Sequence, residues 1–125
     1  MKVLMAGLGG AVGSMARYLV TGLAHRSIDT RFPIGTLAVN TIGCLVIGVL
    51  MSLIEDRQLL TPDTRVLLMV GVLGGFTTFS AFGYETIQML RHGDLRFAAL
   101  NIAANVALAL GAVAAGWMAT RALTA

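Results

Sequence analysis

Three asparagines interrupt long apolar stretches of this sequence. Asn40 lies near the middle of one stretch, in "GTLAVNTIG", and Asn101 and Asn105 are four residues apart in a later stretch. An amide in hydrocarbon needs hydrogen-bond partners, because an unsatisfied polar group costs several kcal/mol there. These amides either join helices or offer N–H donors to a passing solute, and Thr36 shares the helical face of Asn40. With no carboxylate near the middle of a stretch, the donors suit an anion better than a cation.

The stretch "GGFTTFSAF", residues 74–82, is unusual for a segment that is otherwise apolar. Glycine and β-branched residues both weaken a helix. Gly74 and Gly75, followed by Thr77 and Thr78, therefore predict a break at the centre of this helix. Carbonyl groups freed at membrane depth are ligands for cations.

Phenylalanine recurs every three residues in the same stretch, at Phe76, Phe79 and Phe82. Such a stripe either packs against other helices or turns the positive edges of its rings toward an anion. The spacing alone is compatible with both arrangements.

Two charged residues also fall within apolar stretches. Arg17 costs about 2.5–3.5 kcal/mol at a helix centre, less if it reaches the headgroups. Arg17 either reaches the headgroups or faces a water-filled cavity, where it would attract anions. Glu85 is either a proton carrier or an interfacial residue, since it stands in the outer third of its stretch.

Composition places the chain among membrane proteins. It has 125 residues, 57 % of them hydrophobic and 12 % charged, whereas soluble domains average about 25 % charged. Four stretches meet or approach the roughly 20 apolar residues that cross a bilayer core as a helix: 3–24, 32–54, 66–90 and 97–120. We predict an all-α integral membrane protein in which residues 1–125 form a single four-helix domain. The first helix is expected to be retained rather than cleaved as a signal peptide.

The basic residues give no preferred orientation for these four helices. One side of the membrane would carry Lys2, Arg57, Arg65 and Arg121, and the other Arg26, Arg31, Arg91 and Arg96. Because orientation follows an excess of Lys and Arg on the cytoplasmic side, this tie permits insertion both ways round and an antiparallel dimer. The net charge of +3 is not clustered, so no nucleic-acid partner is expected.

Glycine in the first helix indicates close packing rather than nucleotide binding. In "GLGGAVGSMARY", Val12 stands where a dinucleotide loop requires glycine, and no strand precedes it. The pairs Gly9/Gly13, Ala107/Gly111 and Ala112/Gly116 have the small-xxx-small spacing that lets helix backbones approach each other in lipid.

Taken together, these motifs resemble those of the small bacterial fluoride channels, the Fluc or CrcB family. The resemblance rests on "GGAVGSMARY", "GTLAVNTIG" and "GGFTTFSAF" followed by Glu85, and it covers nearly the whole chain. It implies passive, selective export of cytoplasmic fluoride across the cell inner membrane, and no enzymatic activity.

The resemblance also implies an assembly and a set of site residues. Two copies would form an antiparallel homodimer in membrane lipid, with two fluoride pores and one structural Na⁺ at the dimer interface. The backbone carbonyls of Gly74 and Thr77 would bind the Na⁺. The pore residues would be Asn40, Phe79, Phe82, Thr36, Ser80 and Asn105, with Arg17 in the aqueous vestibule and Glu85 near the pore mouth.

The chain departs from the family pattern in its second and fourth helices. Asn101 and Asn105 stand where a tyrosine and a serine four residues apart are common, although Asn105 could still donate to an ion. Cys44 stands where a serine is frequent.

Two other classes of protein have the same size and hydropathy. A small multidrug exporter would need a membrane carboxylate to exchange protons for cationic drugs, but the first helix has none and Arg17 would repel a cation. In a membrane assembly subunit the glycine pairs and phenylalanines would only pack, which would leave Asn40 and Arg17 unexplained.

The tied charge count permits insertion in both orientations, and we hypothesise that both occur. A C-terminal tag should therefore be labelled from both faces of the membrane by an impermeant reagent. Labelling from one face only would contradict dual insertion.

Overall fold

The computed structural model describes residues 1–28, 30–55 and 58–124, and in these ranges all regular structure is helical. Arg57, one of the basic residues counted above, lies outside the described residues. The α-helices are α1 Lys2–Ser27, α2 Ile34–Glu55, α3 Pro62–Arg65, α4 Gly74–Phe76, α5 Phe79–Arg91 and α6 Leu95–Thr124, and Val66–Leu73 is π-helical.

Within the described ranges, four segments are long and apolar enough to cross a membrane: Lys2–Ser27, Ile34–Glu55, Pro62–Arg91 and Leu95–Thr124. Each contains most of one predicted stretch, so the prediction of four spanning helices is confirmed. The first and last of these helices extend beyond the apolar stretches into turns that carry basic residues, among them Arg26 and Arg121, which suit the headgroup region.

The third of these segments, Pro62–Arg91, changes its backbone conformation several times. It begins with a capped turn, in which Thr61 Oγ1 accepts a hydrogen bond from the Thr64 N–H at 3.2 Å, and proline at the first helical position favours that start. The π-helical turns and α4 follow. Thr77 and Thr78 then have extended backbone, with φ/ψ of −82°/159° and −151°/114°, before α5 begins at Phe79.

Two helix pairs position the groove described below. α1 packs against the π-helical turns and α4, and α2 packs against α6. Glycine makes both contacts possible. A Cβ at Gly13 would overlap the Val72 carbonyl, and one at Gly48 would overlap the Val113 carbonyl. Backbones thus approach to a distance that no larger residue permits.

Glycines of two of the three predicted small-residue pairs lie at close helix contacts, whereas Gly48 belongs to none of these pairs. Gly9 and Gly13 are buried against the third segment, and Gly116 is buried against Leu45 of α2. Gly111, however, faces open space, so the predicted close packing at Ala107/Gly111 is wrong within this chain. The spacing shows that two small residues lie on the same face of a helix, but it does not show whether that face packs against a neighbouring helix.

The glycine contacts predict a large difference between two substitutions in α1. Gly13→Ala should lower stability by about 1–3 kcal/mol, the usual cost of overpacking. Gly22→Ala should be neutral or stabilising by up to about 1 kcal/mol, because alanine favours a helix and no atom lies within 4 Å of a Cβ at this position. Thermal unfolding of both variants in detergent gives the comparison, and equal midpoints would contradict the packing described.

Candidate functional site

A groove of about 480 Å³ opens between α2, the third segment and α6. Polar side chains and aromatic rings meet in it. Six of the predicted site residues line it: Asn40, Gly74, Thr77, Phe79, Phe82 and Asn105. The topology therefore brings together residues that are up to 65 positions apart in the sequence.

Asn40 forms two hydrogen bonds with the backbone of Thr78. Its Oδ1 accepts from the Thr78 N–H at 2.8 Å, and its Nδ2 donates to the Thr78 carbonyl at 3.1 Å. Both backbone groups of this extended residue are thus satisfied by one side chain. Non-helical backbone at membrane depth requires such partners, and Asn40 provides them from the neighbouring helix.

Two carbonyls near Thr78 lose the donors that an uninterrupted α-helix would give them. The Gly74 carbonyl would accept from the Thr78 N–H, but this N–H donates to Asn40. The Thr77 carbonyl would accept from the Ala81 N–H, which instead donates to Thr78 Oγ1 at 3.1 Å. These are the two carbonyls that the family resemblance assigns to a cation.

A chain of side-chain hydrogen bonds leads from Asn40 into α6 and back to α5. Asn40 Nδ2 donates to Asn105 Oδ1 at 3.2 Å, and Asn105 Nδ2 donates to Asn101 Oδ1 at 2.9 Å. Asn101 Nδ2 in turn donates to Thr86 Oγ1 at 3.0 Å. Asn101 is fully buried, and Asn105 and Thr86 are each 7 % exposed. The three asparagines therefore act as one connected group.

The phenylalanine stripe divides between two environments. Phe76 is buried, with its ring in van der Waals reach of a Cβ at Gly43. Phe79 is 84 % exposed and lines the groove with Phe82, at 5.3 Å between ring centroids and a 50° tilt. The residues from Phe79 onward belong to α5, and the extended residues before it change the direction in which its side chains point.

Four predicted site residues lie outside the groove. Thr36, one helical turn before Asn40, is buried and donates to Glu85 Oε1 at 2.5 Å. The other carboxylate oxygen, Oε2, is buried and has no hydrogen-bond partner among the described residues. Ser80 Oγ lies 3.3 Å from Thr78 Oγ1. Arg17 is half-buried in α1 and is not among the residues that line the groove.

Sequence reasoning did not assign a site role to Thr78, Thr86 or Cys44. Thr78 caps α5 and hydrogen-bonds to Asn40. A threonine directly before a helix-forming stretch is typical of a helix cap, so the sequence could have indicated this role. Cys44 lines the groove, which its i,i+4 spacing from Asn40 could have indicated. No sequence pattern singles out Thr86, because only the tertiary fold brings it close to Asn101.

Four helices of spanning length, with amides and aromatic rings gathered in one groove, define a small all-helical, multi-pass membrane protein. The chain belongs to the CrcB family. The sequence profile described as "CrcB-like protein, Camphor Resistance (CrcB)" matches residues 4–117, which is most of the chain.

Curated relatives agree over almost their full lengths. The "Fluoride-specific ion channel FluC" of Methylobacillus flagellatus is 50 % identical over 110 residues, which cover 87 % of this chain and 86 % of the relative. The proteins of the same name from Geobacter sulfurreducens and Rhizobium etli are 46 % and 45 % identical. They cover 97 % and 98 % of this chain, and 98 % of each relative is matched.

The capping role of Thr78 predicts different effects for two substitutions. Thr78→Val keeps the shape but removes the oxygen that accepts from Ala81, and loss of such a cap costs about 1 kcal/mol. Thr78→Ser keeps that oxygen and should retain most of the stability. Thermal unfolding in detergent compares the two, and a Val variant as stable as the Ser variant would contradict the cap.

Proposed function

We propose that this chain is a fluoride-selective channel that conducts F⁻ passively out of the cytoplasm across the bacterial inner membrane. One observation carries the proposal. The amide of Asn40, the rings of Phe79 and Phe82 and the unusual backbone at Thr78 meet in one groove, in a chain whose full-length relatives are named fluoride-specific ion channels. Those names favour a channel over the proton-coupled exporter and the assembly subunit.

Conduction of fluoride requires groups that replace its water. The ion is small and strongly hydrated, so a pore must offer hydrogen-bond donors and positive partial charge at each step. Asn40 is the amide donor, and Phe79 and Phe82 offer positive ring edges. Thr36 and Ser80 extend the polar lining beyond the groove. Like Asn40, both are uncharged, so they do not bind the ion too tightly for it to leave.

Passive conduction is sufficient for export. Neutral HF enters a cell from an acidic medium and dissociates in the less acidic cytoplasm, which traps F⁻ there. An inside-negative potential drives an anion outward with about 2.3 kcal/mol per 100 mV. The half-buried Arg17 would raise the local concentration of anions in an aqueous vestibule, and Glu85 would stand near the pore mouth.

The working unit proposed is an antiparallel homodimer in the lipid bilayer. Gly74 and Phe79 line the groove and are exposed in the single chain, which leaves this face available to a second copy. The tied charge count in the loops permits the opposed orientations. Each copy would contribute groove residues to a pore, so two pores follow from the two-fold symmetry.

A structural Na⁺ fits the carbonyl groups near Thr78. The described residues contain no group of three or more His, Cys, Asp or Glu side chains for a metal, and the ligands we propose are backbone oxygens. The carbonyls of Gly74 and Thr77 lack their usual helical donors, and carbonyl oxygens suit Na⁺. Two opposed copies would supply four such oxygens, and the ion would hold the dimer together.

The function is tested by fluoride efflux from proteoliposomes, measured with an ion-selective electrode and with chloride efflux for comparison. The parent protein should release fluoride much faster than chloride. Asn40→Asp replaces a donor by a carboxylate, and loss of a hydrogen bond to a charged partner should slow fluoride efflux by about ten-fold or more. Phe79→Ile should also slow efflux, because it removes a ring edge.

Phe97→Ile is the matched control, since Phe97 contacts Phe32 and not the groove. This variant should conduct as the parent does. Absence of fluoride efflux from a well-folded parent would contradict the channel function, and unaltered efflux from both groove variants would contradict the assigned pore.

A further inference from the structure

Asn105 presents its carbonyl, and not its N–H groups, to Asn40. Its Nδ2 donates to both the backbone carbonyl and the side-chain Oδ1 of Asn101, at 3.0 and 2.9 Å. Its Oδ1 accepts from Asn40 Nδ2 at 3.2 Å. A groove residue of this type would be expected to donate to an anion, but here both donors face away from Asn40.

The direction of the Asn105 amide is fixed by groups outside the groove. The Thr86 hydroxyl donates to the Phe82 carbonyl at 2.7 Å, so its lone pair accepts from Asn101 Nδ2. This leaves Asn101 Oδ1 to face Asn105. Since the backbone carbonyl of Asn101 accepts as well, a flipped Asn105 amide would set its oxygen against two other oxygens, which is unfavourable.

The N–H groups of Asn40 are fully used in this arrangement. An amide has two N–H donors; in Asn40 one is bonded to the Thr78 carbonyl and the other to Asn105 Oδ1. An anion can therefore bind to Asn40 only if one of these acceptors withdraws. The Thr78 carbonyl is held to Asn40 by a pair of hydrogen bonds, since the Thr78 N–H binds Asn40 Oδ1 as well. Asn105 accepts from Asn40 through a single bond. This bond is the longest of the five that the described residues show for the Asn40 and Asn105 side chains.

We propose that Asn105 is a competing acceptor that determines the affinity of the groove for fluoride, and that Asn101 is the residue that positions it. This inference rests on the proposed function. The Asn105 carbonyl occupies the Asn40 N–H between ions, is displaced when fluoride arrives, and returns when fluoride leaves. The exchange keeps a buried donor satisfied and keeps fluoride binding weak enough for the ion to leave, as conduction requires.

The sign of one substitution separates this role from that of a donor. Asn105→Ala removes the competitor, so the fluoride concentration that gives half-maximal efflux should fall by about five-fold, the equivalent of one ordinary hydrogen bond. Maximal efflux should not increase. If Asn105 donated to the ion, the same substitution would raise the half-maximal concentration, and this result or an unchanged value would overturn the proposal.

Leu108→Ala is the control in the same helix, because Leu108 is 47 % exposed and lies outside the groove. It should leave the half-maximal concentration unchanged. A substitution that merely loosens α6 would reduce maximal efflux and leave that concentration as in the parent. A parent protein without fluoride efflux would contradict the proposed function and not, by itself, the hydrogen bond between Asn40 and Asn105.

A measurement without fluoride tests that hydrogen bond directly. Thermal unfolding of Asn40→Ala, Asn105→Ala and the double variant in detergent forms a double-mutant cycle. The double variant should lose less stability than the sum of the single losses, because the bond can be lost only once. Additive losses would overturn the proposal even if the protein conducts fluoride.

Discussion

The structure depends on the pairing of Asn40 with the backbone of Thr78. A membrane interior offers no water to a bare N–H or carbonyl, so extended residues at that depth are stable only if other protein groups bind them. Asn40 Oδ1 and Nδ2 bind both groups of Thr78. This contact fixes α5 relative to α2 and brings Phe79 and Phe82 to the side of Asn40. It also engages the Thr78 N–H, which would otherwise donate to the Gly74 carbonyl in an α-helix.

The glycine contacts and the asparagine bonds have complementary effects on packing. Lipid provides no hydrophobic drive for helices to associate, so close backbone contact and hydrogen bonds stabilise the bundle. Gly13 and Gly48 allow α1 and α2 to lie directly on their neighbours. Asn101 and Asn105 then connect α6 to both α2 and α5. α2 is thus joined to α6 both by close backbone contact at Gly48 and by the hydrogen bond from Asn40 to Asn105.

Much of this arrangement could be predicted from the sequence, and the rest could not for physical reasons. Hydropathy predicts the four spanning helices because lipid imposes a minimum length. The asparagines, Gly74 and the phenylalanines could be recognised as candidate site residues, since polar or helix-weakening residues at membrane depth need a reason to be there. Sequence spacing could not say which way the Asn105 amide points, because that depends on Asn101 and Thr86. Nor could it separate buried Phe76 from exposed Phe79, since a regular helix would carry both on one stripe.

The extended backbone at Thr77 and Thr78 has a consequence for how the chain enters the membrane during synthesis. α5 has 13 residues and rises about 20 Å, which is short of a bilayer core of about 30 Å. It cannot span alone, so residues 62–91 must enter as one unit, with unsatisfied peptide groups in its middle. The chain is made from its N-terminus, and α2 therefore reaches the bilayer first. Asn40 is already at membrane depth when Thr78 arrives, so the partner that this backbone needs is in place before the need arises.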